Sequence, residues 1–190
     1  MNKTEAIRAI IEATTAEPIV FTTGYACRIA AGIADRPNHF YMTGSMGLAA
    51  SIGIGIAQQT RQPTIVVDGD GSLLMNPVGL LIAGSQSTLP LIHLVLDDAA
   101  YASTGGQDVP SDAVDVLALA RACGYRRVLE IDDVASIASL LGDELEVCPS
   151  PIFVRCVLRG PDLPITARIG GDLSDHAARF AESIRVMMKP

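Results

Sequence analysis

The sequence predicts an α/β fold in which a doubly wound, mainly parallel sheet carries helices on both faces. Short β-branched runs alternate with stretches of helical periodicity along the chain, and this alternation is typical of parallel sheets. The strand runs are continuously apolar, as expected where both faces of a sheet are covered. The predicted strands are 18–22, 39–43, 64–68, 91–96, 127–131 and 152–158.

Helical periodicity predicts helices between and after these strands. Small polar residues at 111–112 and at 132–133 favour helix N-termini at those points. Gly and Pro at intervals in 159–171 predict a loop that leads to a C-terminal helix, and residues 1–190 are predicted to form a single domain. The predicted helices are 4–15, 25–34, 46–59, 74–86, 112–123, 133–146 and 175–188.

The composition indicates a folded protein, which we expect to be soluble and cytoplasmic. Of 190 residues, 49% are hydrophobic and 18% are charged, a balance that is too apolar for a disordered chain. No run reaches the ~20 apolar residues that a membrane helix needs, and the first residues lack the basic and apolar regions of a signal peptide. A net charge of −7 without any basic run argues against nucleic acid as a partner.

Several conspicuous residues are interpreted as structural. The four cysteines form no CxxC pair, which argues against a zinc or redox site, and Cys27 is interpreted as a buried thiol. His93, inside a predicted strand, is interpreted in the same way. The predicted helix 46–59 has few large side chains, although Gly costs a helix up to ~1 kcal/mol relative to Ala. We therefore expect this helix to pack closely against the sheet or another subunit.

The first motif that points to chemistry is Gly69-Asp70-Gly71-Ser72, which lies between a predicted strand and a predicted helix. Ligands of open parallel sheets bind at the carboxyl ends of the strands, and free N–H groups at a helix N-terminus suit a phosphate. The glycines allow the backbone to approach such a ligand closely, and Asp70 could hold a divalent cation against it. Taken alone, a Gly-Asp-Gly segment is more often a simple turn.

A second acidic motif follows the next predicted strand along the chain. Asp97 and Asp98 come directly after 91–96, so two neighbouring strand ends would present them and Asp70 to one crevice. Carboxylate oxygens are the ligands that hard divalent cations prefer. The two motifs together predict a cation site beside a phosphate, whereas Asp97 and Asp98 alone could equally be a solvated loop.

With these residues the sequence resembles the thiamin diphosphate enzymes of the decarboxylase type, whose cofactor motif begins Gly-Asp-Gly and ends in a pair of Asn after a hydrophobic strand. Residues 40–49 are similar to the segment that meets the aminopyrimidine ring, and 103–107 to the loop that follows the metal. From the first helix to about residue 158 the chain resembles the β subunit of sulfopyruvate decarboxylase and the C-terminal half of phosphonopyruvate decarboxylase. It departs from the pattern where Asp97-Asp98 replaces the Asn pair.

The resemblance implies a site for thiamin diphosphate and Mg²⁺ in the diphosphate-binding (PP) type of domain. Mg²⁺ would be held by Asp70, Asp98 and the backbone carbonyl of Ala100. Gly44 would accept from the exocyclic amine of the cofactor ring, and Met46 would donate its N–H to a ring nitrogen while its side chain wedges the cofactor into a bent shape. The implied cofactor-binding residues are Gly44, Ser45, Met46, Gly69, Gly71, Ser72, Ala100, Tyr101, Ala102, Ser103, Thr23, Gly24 and Tyr25.

The resemblance also implies that this chain is half of an enzyme. The pyrimidine-binding (PYR) half, which supplies the activating Glu, would belong to a separate α subunit, so we expect a hetero-oligomer and assign no catalytic residue in this chain. The implied reaction is decarboxylation of a 2-oxo acid, with sulfopyruvate, which would give sulfoacetaldehyde and CO₂, as the first candidate.

The residues leave several alternatives open. Phosphonopyruvate or another 3-substituted pyruvate could be the substrate, and its acidic group would need a cation from Arg28, Arg155, Arg159 or the missing subunit. The chain could instead be a non-catalytic module that binds thiamin diphosphate or a nucleotide. It could also be a doubly wound sheet that binds some other phosphate.

Overall fold

The computed structural model describes residues 1–160 and 167–188, apart from the side chain of Asp112. Part of the predicted loop 159–171 and the last two residues of the chain lie outside the described residues. The strands are β1 (Ile19–Phe21), β2 (His39–Tyr41), β3 (Thr64–Gly69), β4 (Leu91–Asp97), β5 (Ala100–Tyr101), β6 (Gln107–Asp108), β7 (Arg127–Ile131) and β8 (Ile152–Val157). The helices are α1 (Lys3–Glu12), α2 (Tyr25–Ile33), α3 (Ala49–Thr60), α4 (Asp70–Met75), α5 (Val78–Gly84), α6 (Val116–Ala122), α7 (Val134–Glu144) and α8 (Leu173–Met187), with a 3₁₀ turn at Pro110–Ala113.

The predicted fold class is confirmed. Six strands form one parallel sheet in the order β2-β1-β3-β4-β8-β7. Its two faces are buried in separate hydrophobic clusters. Ile65 and Val67 pack into the cluster that includes α1, α2 and α7, whereas Val66 between them packs into the cluster that includes α3, α5 and α6. This burial on both faces explains why the strands read as continuous apolar runs.

The C-terminal helix is placed by an aromatic contact at the edge of the sheet. The ring of Phe180 on α8 lies 5.2 Å from the ring of Phe40 on β2, measured between centroids. The helix begins two residues before the predicted start, after Asp172, whose side chain accepts a hydrogen bond from the N–H of Ser174. Within the described part of the chain, no helix has both the length and the apolar character that crossing a membrane requires.

Three other helices start three or four residues away from their predicted first residue. The helix predicted at 46–59 begins only at Ala49, because Ser45 and Gly47 adopt left-handed backbone conformations with φ of 56° and 91°. The helix predicted at 74–86 is two helices, α4 and α5, since Pro77 lacks an N–H and disfavours the helical conformation of the residue before it.

The third difference concerns the helix predicted at 112–123, which begins at Val116. Asp115 is its N-cap and accepts a hydrogen bond of 2.9 Å from the N–H of Ala118. The N-terminus predicted at 132–133 is confirmed, since Asp133 caps α7 through the N–H of Ser136.

The small residues of α3 allow close packing, as predicted. A Cβ atom at Gly53 would overlap the side chain of Val66 in the sheet. On the neighbouring helix α5, a Cβ atom at Gly79 would lie 2.8 Å from that of Ala50. The composition of α3 is therefore explained by its contacts with β3 and α5. These contacts hold α3, and with it the loop between β2 and α3, close to the sheet.

Candidate functional site

A cleft opens where β1, β3 and β4 end at their carboxyl termini. β1 and β3 are neighbours in the sheet, and the chain leaves β1 toward β2 on one side but leaves β3 toward β4 on the other. This reversal creates the kind of crevice where open α/β sheets bind ligands. The structure brings most of the predicted site residues into this cleft. The predicted residues that line it are Thr23, Tyr25, Met46, Gly69, Asp70, Gly71, Ser72, Asp98, Ala100, Tyr101, Ala102 and Ser103.

Asp70 lies at the bottom of the cleft and is only 5% exposed. Its Oδ1 accepts a hydrogen bond of 2.7 Å from the N–H of Gly71, whereas its buried Oδ2 has no hydrogen-bond partner among the described residues. Burial, together with the neighbouring carboxyl groups of Asp97 and Asp98, raises the pKa of Asp70 to about 7. A divalent cation would satisfy the unpaired oxygen and favour the ionised form.

Asp98 forms an ion pair with Lys3, which the sequence analysis did not predict. The Nζ of Lys3 lies 2.7 Å from Oδ2 of Asp98, and the two side chains are 10% and 22% exposed. Lys3 belongs to the first turn of α1 and lines the cleft beside Asp98. The additional carboxylate at this position therefore has a positively charged neighbour in the protein itself.

Asp97, the other member of the acidic pair, is held by Arg155. The Nε of Arg155 donates a 2.7 Å hydrogen bond to Oδ2 of Asp97, and its guanidinium also contacts Glu130 at 3.1 Å. The second oxygen of Asp97 accepts a hydrogen bond from the N–H of Ala99. Arg155 is thus engaged by two carboxylates, which argues against it as the cation for a substrate.

A short antiparallel ribbon, formed by β5 and β6, closes over the Gly-Asp-Gly turn. Its Tyr101 ring lies so close to Gly71 that a Cβ atom at Gly71 would overlap it. Ala99, just before the ribbon, has a left-handed conformation with φ of 57°, and its carbonyl accepts a 2.8 Å hydrogen bond from the N–H of Val109. This ribbon fixes the backbone of Ala100, whose carbonyl is the predicted third metal ligand. Strands of two residues are too short for periodicity to reveal.

Ser72 joins three segments at the floor of the cleft. Its hydroxyl lies 3.1 Å from that of Thr22 after β1 and accepts a 3.0 Å hydrogen bond from the N–H of Gly47. Asn76 donates a hydrogen bond of 2.9 Å to the carbonyl of Gly47. These bonds hold the loop between β2 and α3 against β1 and α4, and so place Met46 in the cleft.

Three predicted site residues lie next to the cleft and not in it. Gly44 and Ser45 line a separate cavity between the β2–α3 loop and α8. Gly24, with φ of 93°, lines a third cavity, and a Cβ atom there would lie 2.8 Å from the Oγ of Ser103. These three residues belong to the same loops as the cleft residues, but they line other cavities.

Sequence reasoning also missed several residues that line the cleft. Thr22 and Asp68 could have been found, because each is within one or two residues of a strand end that carries a predicted site residue. Lys3 could not, since no local pattern joins the first helix to a residue 95 positions away. Of the described residues, no three His, Cys, Asp or Glu side chains converge as a metal site. The predicted set uses only two carboxylates and a carbonyl.

Met46 is expected to support a bound cofactor more than the protein core, since it is only partly buried and lines the cleft. We predict that Met46→Leu retains cofactor affinity and turnover, whereas Met46→Ala loses both, because Leu still fills the space beneath the cofactor. Thermal unfolding is the companion measurement, because truncating a core Met typically costs about 2–5 kcal/mol. A large loss of stability in Met46→Ala, with normal turnover per folded molecule, would contradict this role.

Comparison with known proteins agrees with the geometry. A sequence model of the family described as thiamine pyrophosphate enzyme, C-terminal TPP binding domain, matches residues 22–156. The matched segment contains β3, β4 and the loops that follow β1, β3 and β4, and therefore most of the cleft. The chain belongs to the thiamine pyrophosphate enzymes. Thiamin diphosphate, the same compound as thiamine pyrophosphate, is the cofactor that this domain binds.

The chain is also similar in sequence to two decarboxylases and similar in fold to a solved structure. It is 39% identical over 173 residues to phosphonopyruvate decarboxylase of Streptomyces viridochromogenes, covering 91% of this chain but only 43% of that protein. It is 35% identical over 187 residues to sulfopyruvate decarboxylase subunit beta of Methanothermobacter thermautotrophicus, covering 97% of this chain and 96% of that one. The crystallised benzoylformate decarboxylase of Polynucleobacter necessarius shares the fold, with a TM-score of 0.64 and 16% identity. The match covers 82% of this chain and 32% of that one.

Proposed function

We propose that this chain is the diphosphate- and Mg²⁺-binding subunit of a thiamin diphosphate-dependent decarboxylase that acts on a 3-substituted pyruvate. The observation that carries the proposal is the convergence of Asp70, Asp98 and Ala100 in one cleft at the switch point of the sheet. Sulfopyruvate is the first candidate substrate, because the similar sulfopyruvate decarboxylase β subunit matches this chain over nearly its whole length.

The residues of the cleft fit a metal-bound diphosphate. Among the residues that the structure describes, a buried oxygen of Asp70 has no hydrogen-bond partner, as expected of a group that ligates a cation. Asp70, Asp98 and the carbonyl of Ala100 would hold Mg²⁺, and Gly71 and Ser72, which line the cleft, would contact the diphosphate. When bound, the cofactor supplies a nucleophilic carbon and an electron sink for decarboxylation. The chain's own residues would bind and orient the diphosphate, and the cation that they hold would neutralise its charge.

Exposed apolar side chains close in sequence to the cleft residues favour contact with a partner subunit. Leu48 and Met75, which flank the segments that carry Met46 and Ser72, are 43% and 58% exposed. Three further apolar side chains on α5 are also exposed: Val78, Leu81 and Ile82, at 51%, 56% and 44%. A patch of this kind commonly marks a protein contact. We propose that an α subunit with the PYR half covers it and completes the cofactor site.

Phosphonopyruvate is the second candidate substrate, favoured by the 39% identity to a phosphonopyruvate decarboxylase. The chain spans less than half of that protein, and under this proposal an α subunit with the PYR half supplies the remainder. Sulfonate and phosphonate groups have the same tetrahedral oxyanion chemistry, and discrimination between them requires a direct comparison.

The proposed function is tested by CO₂ release from the complex of this chain with its candidate α subunit, coexpressed from a neighbouring gene, in Mg²⁺ and thiamin diphosphate. We expect a higher kcat/KM for sulfopyruvate than for phosphonopyruvate, and the lowest value for pyruvate. The reverse order of the two acidic substrates would make phosphonopyruvate the substrate. A complex that binds thiamin diphosphate but releases no CO₂ from any of the three would be a non-catalytic binding module.

A further inference from the structure

A second polar cavity adjoins the cofactor cleft. It has a volume of about 320 Å³ and is bordered by the start of α2, the β2–α3 loop, Ser103 and the segment before α8. Thr23 and Ser103 line both this cavity and the cleft, so the two spaces share a wall. At that wall the N-terminus of α2 approaches the β5–β6 ribbon closely, since a Cβ atom at Gly24 would lie 2.8 Å from the Oγ of Ser103.

The lining of this cavity is cationic and rich in hydroxyl groups. Arg28 on α2 and Arg168 before α8 both line it, together with Thr23, Thr43 and Ser103. None of the described residues that line it carries a carboxylate. Because the whole chain has a net charge of −7, a site for an anion needs such a local exception. We call this space the arginine cavity.

Arg28 is held in place by its surroundings. Its guanidinium carbon lies 5.3 Å from the centroid of the Tyr25 ring, and Tyr25 itself lines the cofactor cleft. The Nε of Arg28 donates a 3.4 Å hydrogen bond to the carbonyl of Ala167, the residue next to Arg168. These contacts connect α2 to the segment that carries the second arginine.

We propose that the arginine cavity binds the sulfonate or phosphonate group of the 3-substituted pyruvate, an inference that rests on the proposed function. In such a substrate a single methylene group separates the acidic group from the keto carbon. A cavity for the acidic group must therefore lie beside the bound cofactor, and the wall at Thr23 and Ser103 places the arginine cavity next to the cofactor cleft. Guanidinium groups bind tetrahedral oxyanions through paired hydrogen bonds, and hydroxyl groups add further donors.

Arginine variants of the assembled complex test the proposal. Charge-assisted hydrogen bonds contribute enough that Arg28→Met and Arg168→Met should each lower kcat/KM for sulfopyruvate and phosphonopyruvate by about tenfold, and the double variant by about a hundredfold. Turnover of pyruvate, which lacks the acidic group, should change by less than about twofold, since its contacts are unaltered. Arg28→Lys should fall between the wild type and Arg28→Met, because charge remains but the planar fork is lost. Arg121→Met, at an exposed position on α6, is the matched control.

Binding of unreactive analogues gives a readout that does not depend on turnover. Calorimetry with 3-sulfopropanoate and 3-phosphonopropanoate, which lack the keto group, should show affinities that fall in both arginine variants while the affinity for thiamin diphosphate is unchanged. Wild-type affinity in both variants would overturn the proposal, as would an equal loss of turnover for pyruvate and the acidic substrates. The wild-type complex could bind both analogues through these arginines and yet decarboxylate none of the three substrates. That result would contradict the proposed function but support the anion site.

Discussion

Replacement of Asp70 by Ala is expected to abolish Mg²⁺-dependent binding of thiamin diphosphate. The variant deletes a ligand at the one position in the cleft where a buried carboxylate oxygen lacks a partner among the described residues. A diphosphate carries about two to three negative charges, and Lys3, which already pairs with Asp98, cannot balance them, so we expect the anion to need its cation here. The measurement is a calorimetric titration of the assembled complex with thiamin diphosphate at saturating Mg²⁺. Binding by Asp70→Ala with wild-type affinity would show that the metal site lies elsewhere.

Variants of Asp98 are the matched controls for Asp70→Ala. Asp98→Asn keeps an oxygen ligand at the same position, so cofactor affinity should remain within about tenfold of the wild type, or ~1.4 kcal/mol. Asp98→Ala should bind much more weakly, because it removes both the ligand and the carboxylate that pairs with Lys3. If Asp97→Ala abolishes binding while Asp98→Ala does not, the wrong member of the pair has been assigned. If neither matters, both carboxylates belong to the structure of the loop alone.

The fold was largely predictable because its strands are buried on both faces. β3 and β4 are mostly apolar and buried along almost their whole length, and their ends carry Gly69-Asp70-Gly71 and Asp97-Asp98. The rule that parallel strands present their carboxyl ends at one edge then places these acidic motifs together. Local sequence is sufficient for this inference, since each motif lies within a few residues of its strand.

The remaining features depend on contacts between distant segments. Lys3 meets Asp98 only because α1 packs on the sheet beside the end of β4, and Arg155 meets Asp97 only because β8 pairs with β4. The start of α3 was misplaced because Gly47, which has φ of 91°, belongs to the site loop, although its composition suits the small-residue helix that follows. Sequence therefore identified the carboxylates of the site but not the cations that hold two of them.

The second large effect expected is that the isolated chain has no decarboxylase activity. The chain spans 43% of a phosphonopyruvate decarboxylase but 96% of a sulfopyruvate decarboxylase β subunit, as expected if it corresponds to one half of a divided enzyme. Leu48 and Met75, which lie two and three residues after the cleft residues Met46 and Ser72, are exposed, and a second chain would cover them. Without that chain, the pyrimidine end of the cofactor would lack the activating Glu that we expect the α subunit to supply, so turnover should fall to background.

Whether this chain needs an α subunit for activity is tested most directly by CO₂ release from the purified chain, before and after addition of the separately purified α subunit. Mg²⁺ and thiamin diphosphate are present throughout. We expect background release from the chain alone and from the α subunit alone, and activity that rises with added α subunit until the two are equimolar. A titration with Asp70→Ala in place of the wild-type chain should remain at background. Robust turnover by the wild-type chain alone, in a preparation shown by mass spectrometry to contain no α subunit, would contradict the claim that this chain is half of the active site.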